Sequence, residues 1–119
     1  MAHAQFITYR GKRILRIDID NCPMDQFEEM LDESGAMIRN EPLNSVLSLA
    51  AGGAGTPIFT NRDIFLKYLK ENQPYMKASA VSGLDKIKAP MFLSVIAPSN
   101  RNLMLFDTEQ EAKDWLASI

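Results

Sequence analysis

Cysteine is almost missing from this chain: Cys22 is the only one among 119 residues. A single thiol excludes an intrachain disulfide and fits a reducing compartment. Histidine is equally scarce, and the lone His3 has no evident Cys, Asp or Ser partner that would make it catalytic. Charge of one sign is lacking too. With 13 Lys and Arg against 15 Asp and Glu, the net charge is −2, which gives no drive toward nucleic acid or anionic lipid. No apolar run approaches the about 18 residues of a membrane span. The opening Met1-Ala2-His3-Ala4-Gln5 has neither the charged nor the apolar region of a signal peptide. Repeats, low-complexity tracts and linkers are absent as well. The expectation is a soluble, cytoplasmic protein with residues 1–119 as a single domain.

What is present alternates between strand and helix. Gln5 to Arg10 reads as a first strand, Gly11-Lys12 as a short turn, and Arg13 to Asp20 as a second strand. Leu15, Ile17 and Ile19 fall on one face of that strand, and Arg16, Asp18 and Asp20 on the other, so one side of the sheet is expected to be polar there. The short connection predicts an antiparallel hairpin. Pro23 can open a helix whose stripe is Phe27, Met30, Leu31 and Ile38, and which ends at Glu41-Pro42. Ser45 to Ala51 reads as a buried strand.

A second helix is expected near Thr60, with Asp63 completing an imperfect capping box and Ile64, Phe65, Tyr68 and Leu69 facing inward. Lys77 to Ser82 is a fourth strand. Gly83 then releases the chain into an apolar helix around Leu84 to Ala97, interrupted or opened by Pro90. Asn102 to Phe106 is a fifth strand. Thr108 and Glu111 form a capping box for a last helix whose inner stripe is Ala112, Trp115 and Leu116. The order β-β-α-β-α-β-α-β-α predicts an α/β single domain, a mostly parallel five-stranded sheet with an antiparallel opening hairpin.

Three segments carry a resemblance. They are Tyr9-Arg10-Gly11-Lys12-Arg13-Ile14-Leu15, Ala80-Val81-Ser82-Gly83-Leu84, and the closing Leu105-Phe106-Asp107-Thr108-Glu109-Gln110-Glu111-Ala112-Lys113-Asp114-Trp115-Leu116. Together with the element order, they make the chain resemble the STAS superfamily and its SpoIIAA-like branch. That resemblance implies a regulatory binding module like the anti-sigma-factor antagonists. In those relatives an Asp-Ser-Ser-Gly motif after the third strand carries a phosphorylated serine. Here Ala50-Ala51-Gly52-Gly53 stands at the matching position. A phosphate would add about −1.5 to −2 charge, but no serine is present to carry it. The branch is also similar in fold to lipid-binding CRAL-TRIO domains, which implies a peripheral lipid or small apolar ligand as an alternative.

Carboxyl ends of parallel strands are where open α/β sheets place ligands. The expected binding edge is therefore Asp20, the loop residues Gly52, Gly53, Gly55 and Thr56, the helix start Thr60-Asn61, and Ser82-Gly83. The glycine loop lacks the Lys-Ser/Thr pair of a phosphate-binding loop. Asp18 and Asp20 alone are a poor cation site and read as a solvated strand face. Cys22 precedes a helix start that could lower its pKa, so Cys22 with Asp20 and Ser82 seeds an enzyme alternative. Arg39, Lys86, Lys88 and Arg101 make no basic stripe, and the aromatics are not interleaved with them. The reading is a non-enzymatic regulatory or ligand-binding module without a phosphoserine switch, cofactor or metal. Its partner would be a protein, a small acidic ligand or a lipid. A homodimer is admitted, while nucleic acid and membrane insertion are excluded. The apolar Leu84–Ala97 helix could serve as core, as a subunit interface or as a lipid-facing strip.

Overall fold

The computed structural model describes residues 4–18, 24–51, 62–83 and 103–119. Strands β1 (Ala4–Tyr9) and β2 (Lys12–Asp18) form the opening hairpin. A 3-10 turn, Met24–Gln26, leads into α1 (Phe27–Arg39), followed by β3 (Val46–Ala51). Helix α2 (Arg62–Asn72) runs through a second 3-10 turn, Gln73–Tyr75, into β4 (Met76–Ser82). The chain closes with β5 (Leu103–Phe106) and α3 (Glu109–Ala117). The expected Leu84–Ala97 helix, Cys22, the Thr60 cap and the Phe65 side chain lie outside the described residues.

The five strands are ordered β1-β2-β3-β4-β5, with β1–β2 antiparallel and all other neighbours parallel. This bears out the expected sheet. The hairpin turn itself lies one residue earlier than expected. Tyr9 pairs with Lys12, so the turn residues are Arg10 and Gly11, with φ of 50° and 79°. Positive φ at both positions is the type I′ geometry whose twist matches a hairpin. Gly11 takes it without penalty, whereas Arg10 takes it at a steric cost.

A sequential strand order moves every parallel crossover in the same direction across the sheet. Right-handed crossovers must then put their helices on one face. Accordingly, Phe27, Met30, Leu31 and Ile38 of α1 and Tyr68 and Leu69 of α2 share one core with Leu15, Ile17, Val46, Val81 and Leu103. The opposite face carries Ile14, Leu47, Leu49, Ala78 and Ala80, and α3 covers it with Ala112 and Leu116. The small Ala78 and Ala80 allow that close approach. The expectation of a polar, solvated second face on β2 is thereby corrected. Ile14 is fully buried there, and Arg16 on the same face is held by α3 rather than left in water.

Helix α3 starts as expected: Thr108 Oγ1 accepts a hydrogen bond of 3.2 Å from the Glu111 backbone N–H. At the other end of the sheet, the backbone N–H groups of Asn44 and Ser45 donate to the carbonyls of Pro74 and Tyr75 at 2.9 and 3.0 Å. These bonds tie the entry of β3 to the turn that feeds β4. Leu116 is fully buried against the α3 face, whereas Met104 is 47% exposed. Leu116→Ala should therefore cost about 2–5 kcal/mol. Met104→Ala should change stability by less than about 0.5 kcal/mol. Urea unfolding of the two variants checks the contrast.

Candidate functional site

The parallel register brings the carboxyl ends of four strands to one edge. Asp18 pairs with Ala51, Ala51 with Ser82, and Ser82 with Phe106. This row lies on the α3 face of the sheet, because its members alternate with Ile17, Ala50, Val81 and Leu105. Of the residues expected at the binding edge, Ser82 and Gly83 are placed here. Ser82 is buried, and Gly83 is exposed beside it with φ of 84°. The Gly83 N–H donates to the Phe106 carbonyl at 3.2 Å, which extends the β4–β5 pairing past the strand end. Positive φ at that point turns the chain off the sheet, a role glycine fills without strain. Asp20, Gly52, Gly53, Gly55, Thr56, Thr60 and Asn61 lie outside the described residues. Ala51 stands at the centre of the row, flanked on both sides by residues with oxygen-bearing side chains.

Beneath α3 the edge is braced by charge. The Arg16 guanidinium donates two bonds to the Glu109 carboxylate, from Nε at 3.1 Å and Nη2 at 2.8 Å. Lys113 Nζ lies 2.9 Å from the same carboxylate. The bidentate fork and partial shielding make this pair stronger than an ordinary surface ion pair. The bonds from Arg16, followed by those from Lys113, hold the Glu109 carboxyl down to about 2. The same bond raises Arg16 further, so the guanidinium stays charged. At the hairpin end, the Tyr9 hydroxyl donates to Asp114 at 2.6 Å and accepts from Gln110. Lys12 Nζ donates to the Ile119 carbonyl at 3.1 Å. Helix α3 is thus fixed at both ends to the opening hairpin.

A second polar feature runs between α1 and α2. The Ser34 hydroxyl, fully buried, donates to the Leu31 carbonyl and lies 3.2 Å from the Tyr68 hydroxyl. Asn72 Nδ2 donates to the Tyr68 carbonyl at 2.7 Å, while its Oδ1 accepts from Arg39 at 3.0 Å. Gly35 makes room for this seam. A Cβ there would stand 2.9 Å from Arg39 Nη1 and 3.4 Å from Asn72 Nδ2. Burial pushes the Tyr68 phenol up to about 12, so at neutral pH it stays a neutral phenol. Above the seam lies a groove of about 170 Å³ lined by Glu28, Asp32, Lys67 and Glu71 around Leu31 and Ile64. Carboxylates and cations are interspersed, and Lys67 pairs with Glu71 at 3.8 Å.

Sequence reasoning found neither the Arg16–Glu109 brace nor the seam. For the seam a signal existed: Ser34 falls seven residues after Phe27 and four after Met30, inside the buried stripe. A hydroxyl at such a position calls for a partner. Among the described residues, no three His, Cys, Asp or Glu side chains come together as a metal site. Comparison of the chain with protein-family models, with curated proteins and with solved structures finds no match.

The brace makes a pH prediction. Glu109 titrates at about 2 in the folded chain against 4.5 ordinarily. A carboxyl that is more acidic when folded adds stability above its unfolded pKa, and that stability is lost as pH falls toward the folded one. Glu109→Gln should cost about 1 kcal/mol at neutral pH. Its deficit relative to the parent chain should close as pH drops from 4.5 to about 2, which chemical unfolding across that range would read.

Proposed function

We propose that this chain is a non-enzymatic regulatory or ligand-binding module of the STAS, SpoIIAA-like kind, which binds at the carboxyl edge of its parallel strands. The observation that carries the reading is the register of that edge: Asp18, Ala51, Ser82 and Phe106 stand side by side where β2 to β5 end. Strand ends aligned in this way are the usual ligand position of open α/β sheets. The opening antiparallel hairpin and the parallel strands that follow support the resemblance carried by Tyr9 to Leu15, Ala80 to Leu84 and Leu105 to Leu116.

Ala50 and Ala51 end β3 at the position where the resembled switch proteins carry the carboxylate and the phosphorylated serine. An alanine methyl accepts no phosphoryl group. Binding here would therefore be governed by ligand concentration or partner abundance, with no phosphorylation at this point of the chain. The loop of Gly52, Gly53, Gly55 and Thr56 follows directly, and its small side chains suit close approach of a ligand to backbone N–H groups.

Native mass spectrometry of the intact purified chain should show a retained small molecule. Gly53→Leu and Gly55→Leu should weaken its binding at least about tenfold, a loss near 1.4 kcal/mol, with circular dichroism unchanged. Undiminished binding in both folded variants would remove the edge from consideration as the site.

A further inference from the structure

We infer that α3 is a releasable cover: it comes off the sheet as one unit while the sheet, α1 and α2 stay folded. The inference does not rest on the proposed function. Helices α1 and α2 each lie between two parallel strands, so neither leaves without pulling on the sheet. Helix α3 lies after β5 and joins no pair of the five strands, so its departure breaks no ladder hydrogen bond.

The hold of α3 on the sheet is apolar only in part. Of its nine residues, Ala112 and Leu116 alone are buried, whereas α1 buries the larger Phe27, Met30, Leu31 and Ile38. Trp115 adds a half-buried contact, its ring 5.7 Å from that of Phe106. The remaining attachment is polar and converges mainly on two carboxylates. Glu109 accepts the Arg16 fork and pairs with Lys113. Asp114 accepts from the Tyr9 hydroxyl and from Gln110, and pairs with Arg10 at 3.4 Å. A nine-residue helix does not persist alone in water. Once lifted, α3 therefore unwinds, and docking and helix formation are one event.

Acid acts on this hold and spares the other layer. Arg16, then Lys113, keep the Glu109 carboxyl down at about 2. The Tyr9 hydroxyl, followed by Arg10 and Gln110, keeps Asp114 below the ordinary carboxyl range. On β2, Lys12 and Asp18 share this face with Arg16, and Lys12 is bonded to the Ile119 carbonyl. Strands β3, β4 and β5 turn no charged side chain toward α3. Each of the two carboxyls is more acidic docked than free. Its contribution is full above the free value, 4.5 for Glu109 and 3.8 for Asp114, and is lost as pH falls below it. The α1–α2 layer is held instead by its apolar core and by the seam of Ser34, Tyr68 and Asn72, which does not titrate in acid. Asp25, Glu28, Glu29, Asp32 and Glu33 make no ion pair among the described residues, so protonating them removes no attraction.

Trp115 is the only tryptophan of the chain, so its fluorescence reports the docking of α3 directly. In an acid titration of the intact chain, its emission should shift to the red before the rest of the fold is lost. The step should come about one pH unit or more above the loss of far-UV circular dichroism. Arg16→Gln, which removes the fork, should move the Trp115 step to higher pH. Native-state hydrogen exchange gives a second reading at neutral pH. The amides of Ala112 to Ala117 should share one protection factor, about tenfold or more below those of Leu47 and Leu49 in β3. Coincident fluorescence and circular dichroism transitions would overturn the inference. So would α3 amides that are graded along the helix or as protected as β3, or a folded Arg16→Gln variant whose Trp115 step stays in place.

Discussion

Because each parallel strand is added on the same side of the one before it, the handedness of the crossovers commits α1 and α2 to one face of the sheet. The other face, with Ile14, Leu49, Ala78 and Ala80, would meet water without a further element. Helix α3, which follows the last strand and is free of crossover constraint, supplies that cover. Its apolar contribution is Ala112 and Leu116, and its polar one is the fork between Glu109 and Arg16. The first and last parts of the chain are thereby joined, with β2 sandwiched between two cores.

This double cover bears on the candidate binding edge. The row of Asp18, Ala51, Ser82 and Phe106 lies on the α3 face, near the end where Glu109 begins that helix. The brace steadies the strand ends from below, while Gly83 turns the chain off the sheet beside them. The α1–α2 seam works on the opposite face. There a missing side chain at Gly35, a buried Ser34 and an amide at Asn72 let two helices approach with their polar groups satisfied. Both features immobilise elements around the edge, and neither presents a base or nucleophile of its own: Glu109 is locked as an anion and Tyr68 as a neutral phenol.

Much of the fold was legible because it rests on local signals. Alternation in β2, the small Gly11 turn, the stripe of α1 and the Thr108–Glu111 cap all act within a few residues of chain. Glycine marks only the second position of the hairpin turn, so the sequence alone places that turn one residue late. Arg10 adopts a positive φ that its side chain does not advertise, and the pairing of Tyr9 with Lys12 imposes it. The second core on the polar face of β2 is hidden from the sequence for a different reason. Arg16 and Asp18 alternate with apolar residues as solvated groups do, and only the arrival of α3 from about ninety residues away turns that face into a second core.

The order of strands and helices, their approximate limits and the alternation that sorts apolar residues onto faces are written in the sequence, since they follow from backbone propensity and periodicity. Partnership across the chain is decided by folding. Arg16 needed Glu109, Ser34 needed Tyr68, and Ala51 needed Asp18 and Ser82 beside it before any of them had a meaning. Those pairs depend on which faces the crossovers fill and on the register of neighbouring strands, and a linear pattern carries neither.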